Sequence, residues 1–189
     1  MKRIYFITSN KGKYNELRHK IESSGYNIIL EQKDMGYPEI QADTLEEVAE
    51  YGIRYIRDRC SDPCIIEDSG LFINALKNFP GVYSKYVYLT IGLDGVLRLM
   101  SDKKNEERSA LFKSVFAYVD DKSEPVLFTG ECKGLISDSI RGTHGFGYDP
   151  IFIPSGSDRT FAEMSTKEKN HYSHRGKSMD KLLLFLKNK

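Results

Sequence analysis

Ile4-Tyr5-Phe6-Ile7-Thr8-Ser9-Asn10-Lys11-Gly12-Lys13 decides the reading of the fold. Four consecutive apolar residues end in a short polar turn, and Tyr14, Leu17 and Ile21 then recur at helical spacing. The pattern predicts a strand, a turn and a helix N-terminus. Backbone N–H groups without intrahelical partners at such a start, together with the helix dipole, favour an anion. Two lysines, a glycine and two hydroxyls in Thr8–Lys13 suit phosphate, although an ordinary solvated turn would use the same residues.

Downstream, the helix is expected from Lys13 to about Ser23, closed by Gly25, and a second strand over Asn27–Glu31. Thr44 and Glu47 have capping-box spacing and open a helix with Leu45, Val48, Ala49, Ile53 and Ile56 as its buried stripe. Cys64-Ile65-Ile66 reads as a short buried strand that delivers Glu67-Asp68-Ser69-Gly70 at its C-terminal end, where open α/β sheets bind ligands. Beyond a helix at Leu93–Met100, the strands Ala110–Val119 and Val126–Lys133 pair as a hairpin across residues 120–125 and form a second lobe. A glycine-punctuated loop, Gly142–Pro150, enters a strand at Ile151–Ile153. Ser165 and Glu168 repeat the capping-box pattern, and a final helix packs through Met179, Leu182, Leu183 and Leu186. Early strand–helix alternation with a later antiparallel pair predicts a mixed-sheet α/β or α+β fold, 1–189 forming one domain of two lobes.

Bulk properties exclude several classes. The formal net charge is +1, so the chain as a whole carries no electrostatic footprint for duplex nucleic acid. There is no signal-peptide pattern and no run near the roughly 20 apolar residues that span a bilayer, which predicts a soluble cytoplasmic protein without a membrane partner. Three cysteines argue against a disulfide framework. Cys60 and Cys64 stand four apart with His144, His171 and His174 downstream, but the spacing matches no familiar zinc pattern, and the expectation is buried free thiols.

Three clusters carry chemistry. The first is the Thr8–Lys13 turn. The second is Glu67 and Asp68 with Glu39 on an earlier loop: carboxylates without Cys or His neighbours suit a hard cation, and Mg²⁺ matches a site shared with phosphates. A turn acid capping a backbone N–H is the bland alternative. The third is Phe146, Tyr148 and Asp149 on the glycine loop, plus Lys169, His174 and Arg175. A loop aromatic can stack on a base for roughly 1–3 kcal/mol, but an aromatic after a glycine is also a common core plug. Together these describe a nucleoside triphosphate site. It is not a P-loop, because Gly12-Lys13 is followed by Tyr14 and the upstream glycine is missing.

Six motifs in order resemble the inosine triphosphate pyrophosphatase family: T-S-N-K-G-K at Thr8–Lys13, E-D-S-G-L at Glu67–Leu71, P-G-V-Y-S at Pro80–Ser84, H-G-F-G-Y-D-P at His144–Pro150, E-K-N at Glu168–Asn170 and S-H-R-G-K at Ser173–Lys177. The resemblance implies hydrolysis of non-standard purine nucleoside triphosphates (ITP, dITP, XTP) to the monophosphate and pyrophosphate. It implies a homodimer and an elongated two-lobed α/β fold, a mixed central sheet with flanking helices, with the active site in a cleft between lobes. It places Thr8, Ser9, Asn10 and Lys13 on the triphosphate and Glu39 and Asp68 on Mg²⁺, with Asp68 and Lys13 catalytic. Ser69 becomes a substrate contact, and Phe146, Gly147, Tyr148 and Asp149 border the purine. Lys169, His174 and Arg175 read the base. Rival readings are a pyrophosphatase for pyrimidine or methylated-base nucleotides, a nucleotide sensor without turnover, and an RNA-binding module.

Overall fold

In the computed structural model, which describes residues 2–121 and 123–189, the opening run becomes β1 (Lys2–Ile7) and the following helix becomes α1 (Lys11–Ser24). Asn10 has extended backbone, and its side chain accepts from the Lys13 N–H at 3.1 Å, so the helix starts two residues earlier than expected. At the far end Gly25 adopts φ 70°, the left-handed conformation that a Cβ penalises. β2 (Ile28–Lys33) lies parallel to β1, with Ile4 opposite Leu30. The Thr44 backbone N–H and hydroxyl both donate to the Glu47 carboxylate, while the Glu47 N–H donates back to Thr44 Oγ1. That box starts α2 (Leu45–Arg57), which buries Leu45, Val48, Ala49, Gly52, Ile53 and Ile56.

The third strand departs from expectation. β3 runs from Cys64 to Ile73, so Glu67 and Asp68 lie inside a ten-residue strand and not at the end of a short one. Leu71 and Ile73 are fully buried, and Phe72 and Ile73 pair antiparallel with Pro80 and Phe79 of β4 (Phe79–Pro80). Burial and a partner strand thus carry the chain straight through its polar residues. β3 is parallel to β1, with Tyr5 opposite Cys64 and Phe6 opposite Ile65, which brings Glu67 level with the turn that begins at Thr8. A Cβ on Gly70 would overlap the Gly81 carbonyl oxygen, so only glycine lets β3 approach so closely.

The remaining elements are α3 (Ser84–Thr90), α4 (Gly92–Leu99), β5 (Ser109–Val119), β6 (Val126–Ile136), β7 (Phe152–Pro154), α5 (Thr166–Tyr172) and α6 (His174–Asn188). Strand order is β2-β1-β3-β5-β6-β7 with β4 on β3, a mixed sheet flanked by helices, as the α/β reading required. The expected 120–125 connection includes Lys122, which lies outside the described residues. Among the described residues no helix is long and apolar enough to cross a membrane.

Two compact units partition the chain. The first comprises Met1–Asp68, Val115–Thr129 and Ser178–Lys189. Its core joins Ile4 and Phe6 of β1, Leu17 and Ile21 of α1, Phe116 and Tyr118 of β5, and Met179, Leu182, Leu183 and Leu186 of α6. The second comprises Ser69–Ser114 and Gly130–Lys177. Its core joins Leu71, Val87, Val96, Phe112, Ile136, Phe152 and Phe161. The β5–β6 pair is therefore not a lobe of its own. Each strand gives one segment to either core, because both carry apolar residues along their full length.

Candidate active site

In the first unit the turn after β1 is built from its own side chains. Thr8 Oγ1 accepts from the Asn10 N–H at 3.1 Å, and the Asn10 side chain caps α1, while Ser9 and Asn10 remain exposed. Lys13, in the first turn of α1, reaches across to β3. Its Nζ donates to the Glu67 carbonyl oxygen at 2.8 Å and stands 2.7 Å from the Glu67 carboxylate. Glu67 is 3 % exposed, so its charge is sustained by partners and not by water. Lys13 is thereby aimed along the strand that carries Asp68, a task for Glu67 that the sequence did not assign.

Asp68 is half-buried, and the Tyr37 hydroxyl donates to its Oδ2 at 3.3 Å. Burial pushes the Asp68 carboxyl from an ordinary 3.8 up to about 6; the Lys13 ammonium and the Tyr37 hydrogen bond oppose the rise, and the negative charges of Glu67 and Glu39 add to it. The Tyr37 phenol is held well above its usual value by burial and by the same carboxylates. Glu39 itself is exposed. Burial, more than neighbouring charge, is thus what raises Asp68. Among the described residues, no three acidic, His or Cys side chains converge into a ready metal cage. Two carboxylates, Glu39 and Asp68, are nevertheless the donor set that suits Mg²⁺, which keeps several waters and takes phosphate oxygens in place of an all-protein shell.

In the second unit Asp149 is the organiser. Its Oδ2 accepts from the Phe146 N–H at 2.8 Å and from Lys169 Nζ at 2.8 Å, and both side chains of that ion pair are 5 % exposed. Gly145, at φ 77°, makes this closure attainable, since a Cβ there would overlap the Asp149 carboxylate. Lys169 Nζ lies 4.9 Å from the Phe146 ring centroid and the Arg175 guanidinium 5.2 Å from it, so the half-buried ring is flanked by two cations. Arg175 is buried and donates to Ser69 Oγ at 2.9 Å.

Two expected base contacts are placed in packing. Tyr148 is 5 % exposed, donates to the Ser84 carbonyl oxygen at 2.7 Å and meets Tyr88 edge-on in the second core. His174 opens α6 buried, its ring stacked on Phe112 at 4.5 Å and 9°. Tyr148 is thus held in packing, whereas Phe146, Lys169 and Arg175 form a connected cluster.

The family model described as Ham1 matches residues 4–185. The chain belongs to the Ham1 family. It is 54 % identical over 185 residues to a dITP/XTP pyrophosphatase of Thermococcus kodakarensis, covering 98 % of this chain and 97 % of that protein. It is 52 % identical to the dITP/XTP pyrophosphatase of Pyrococcus horikoshii over 98 % and 97 % of the two chains. Among solved structures, a HAM1 protein from Coxiella burnetii aligns with a TM-score of 0.85 at 30 % identity over 100 % of both chains. A nucleoside-triphosphatase (dITP/XTP pyrophosphatase) from Mycobacterium abscessus aligns with a TM-score of 0.73 at 35 % identity, covering 97 % of this chain and 99 % of that one. The resemblance read from six motifs is borne out. In this Ham1 chain Tyr37 is the site residue the motifs missed; its only signal was a lone aromatic between Gly36 and Pro38, two residues before Glu39.

Proposed function

We propose that the protein hydrolyses non-standard purine nucleoside triphosphates, ITP, dITP and XTP, to the monophosphate and pyrophosphate, clearing deaminated purines from the free nucleotide pool. The observation that carries the reading is the Lys13–Glu67–Asp68 arrangement: a lysine fixed at 2.7 Å by one buried carboxylate on the strand that carries a second, half-buried one. A carboxylate beside the reacting water can take its proton. Asp68 accepts that proton as the water oxygen bonds to the α-phosphorus and the bond to the pyrophosphate oxygen breaks. Lys13 offsets the charge that grows on the departing pyrophosphate, and Thr8 and Ser9 in the turn face the phosphates. Glu39 and Asp68 would hold Mg²⁺ when it binds, and the ion would supply electrostatic stabilisation of the same charge. Asn10 serves by completing the α1 N-terminus.

The base belongs to the second unit. Phe146 offers a stacking face, Gly147 and Asp149 shape the loop, and Lys169 and Arg175 supply donors, with Ser69 orienting Arg175. A donor facing a 6-keto oxygen meets another donor when the base is adenine, at a cost of roughly 1–3 kcal/mol per unpaired group. That rejects ATP about ten- to a hundredfold per contact. His174 and Tyr148 act through packing. We assign the activity to the cytoplasm, with neither nucleic acid nor membrane as partner, consistent with the net charge of +1. We assign the assembly to a homodimer; exposed Tyr86 and Leu89 of α3 are apolar surface of the kind a self-interface covers.

A substrate panel tests the reading. Pyrophosphate release from ITP, dITP, XTP, GTP and ATP is measured with and without Mg²⁺ in the wild type and in Arg175→Ala. Metal-dependent release with kcat/KM highest for ITP, dITP and XTP, and a narrowed ITP-to-ATP ratio in the variant, is expected. Higher kcat/KM for pyrimidine or methylated-base triphosphates, or nucleotide binding without turnover, overturns it.

A further inference from the structure

Residues 34–39 leave β2 as a loop that carries Glu39. Among them Tyr37 alone is not exposed, so its side chain is the loop's anchor on the first unit. The ring has a built seat. Gly52 is buried in the middle of α2, and a Cβ there would come within 2.8 Å of both the Tyr37 ring and the Ile66 side chain. A glycine inside a helix is destabilising relative to alanine, and what it provides here is room for the ring. Ile66 and Asp68 stand two apart on β3 and so face the same side of the sheet. A ring seated beside Ile66 therefore carries its hydroxyl on to Asp68, where it donates to Oδ2 at 3.3 Å. That bond commits one carboxylate oxygen, which fixes the rotation of the group and the direction of the other. Tyr37 is also two residues from Glu39. It thus acts on both carboxylates that suit Mg²⁺, on Asp68 through a hydrogen bond and on Glu39 through the chain.

We propose that Tyr37 is a positioning residue for the proposed hydrolysis, a reading on which this inference rests: its ring docks the Glu39 loop on α2 and its hydroxyl orients Asp68, so that the two carboxylates meet one divalent ion. The two roles are separable, because the hydroxyl acts on the carboxylate and the ring on the loop. A hydrogen-bond partner that orients a metal ligand is worth about 10–100-fold in metal affinity or activity. A group that merely touched the nucleotide in ground state and transition state alike would move KM and leave kcat unchanged.

Two variants of the full-length protein test it. Tyr37→Phe keeps the ring and removes the hydroxyl, and Tyr37→Ala removes both. Three readouts are taken: kcat and KM for ITP at saturating Mg²⁺, binding of Mn²⁺ to the nucleotide-free protein by electron paramagnetic resonance, and amide hydrogen exchange over residues 34–39 without metal. Mn²⁺ shares the preference of Mg²⁺ for carboxylate oxygens. Tyr37→Phe should weaken Mn²⁺ binding and lower kcat, each by about tenfold, with KM for ITP within about twofold of wild type and exchange over 34–39 unchanged. Tyr37→Ala should in addition exchange faster over 34–39 while β1 and α1 keep their protection. Wild-type kcat and Mn²⁺ binding in Tyr37→Phe, or a change confined to KM, overturns the orienting role. Unchanged exchange in Tyr37→Ala overturns the docking role. A wild type that releases no pyrophosphate from ITP, dITP or XTP refutes the hydrolysis instead, and Mn²⁺ binding and exchange then still decide whether Tyr37 organises the two carboxylates.

Discussion

Asp68→Asn should move stability and turnover in opposite directions. In the metal-free protein the Asp68 carboxyl is raised from 3.8 to about 6, chiefly by burial. A carboxyl with a raised native pKa binds its proton more tightly when folded. Its ionisation therefore costs nothing below about pH 4, costs increasingly as pH climbs toward 6, and costs its full amount above that. The two values correspond to about 3 kcal/mol as an upper bound, since relaxation around a half-buried site reduces it. Asn keeps the shape and can still accept from the Tyr37 hydroxyl at the 3.3 Å position, but carries no charge to bury. In EDTA at pH 7 the variant should melt higher by several degrees, at about 2–4 °C per kcal/mol for a chain of this size. Lowering the pH from 7 to 5 should raise the wild-type melting temperature relative to the variant and close the gap. Pyrophosphate release from ITP with Mg²⁺ should fall by at least 10³-fold in the same variant. Thermal melts over a pH series, paired with initial rates, read both effects. A variant that melts lower than wild type at pH 7, or turns over within tenfold of it, refutes the reasoning.

Lys13→Met removes the cation beside the fully buried Glu67 carboxylate, so both turnover and melting temperature should drop; adding Glu67→Gln should restore the melting temperature without restoring turnover. Recovery of both would reduce the pair to a purely structural role. Gly145→Ala and Gly147→Ala impose similar backbone strain at φ 77° and 61°, but only the first places a methyl against Asp149. The Gly145 variant should show the larger rise in KM for ITP and the larger loss in melting temperature, and equal effects would remove Asp149 as organiser of the loop.

What was legible in the sequence was mostly what is local. The Asn10 cap, the left-handed Gly25 and the Thr44–Glu47 and Ser165–Glu168 boxes are hydrogen bonds within a turn or two, written in residues three apart. The length of β3 was not, because it depends on a distant two-residue partner at Phe79–Pro80 and on burial of Leu71 and Ile73. Nor was the division of β5 and β6 between two cores, since apolar residues along both strands give no hint of which neighbours they meet. In the site, charge was readable and direction was not. Lys13, Asp68, Lys169 and Arg175 stand in motifs, but Tyr148 and His174 would be written identically whether they faced a ligand or Ser84 and Phe112. The Tyr37–Asp68 contact spans 31 positions and leaves no periodic trace.

The box at the head of α5 has a consequence for how the protein meets acid. Glu168 accepts from the Ser165 N–H and hydroxyl and from Arg159, and these partners hold its carboxyl down at about 2. Its native pKa lies below the unfolded one, so the tether it provides is at full strength above about pH 4.5 and fades only as the medium approaches pH 2. Lys169 is the next residue along. The cap that precedes this lysine therefore persists through the range in which most carboxylates are already being neutralised.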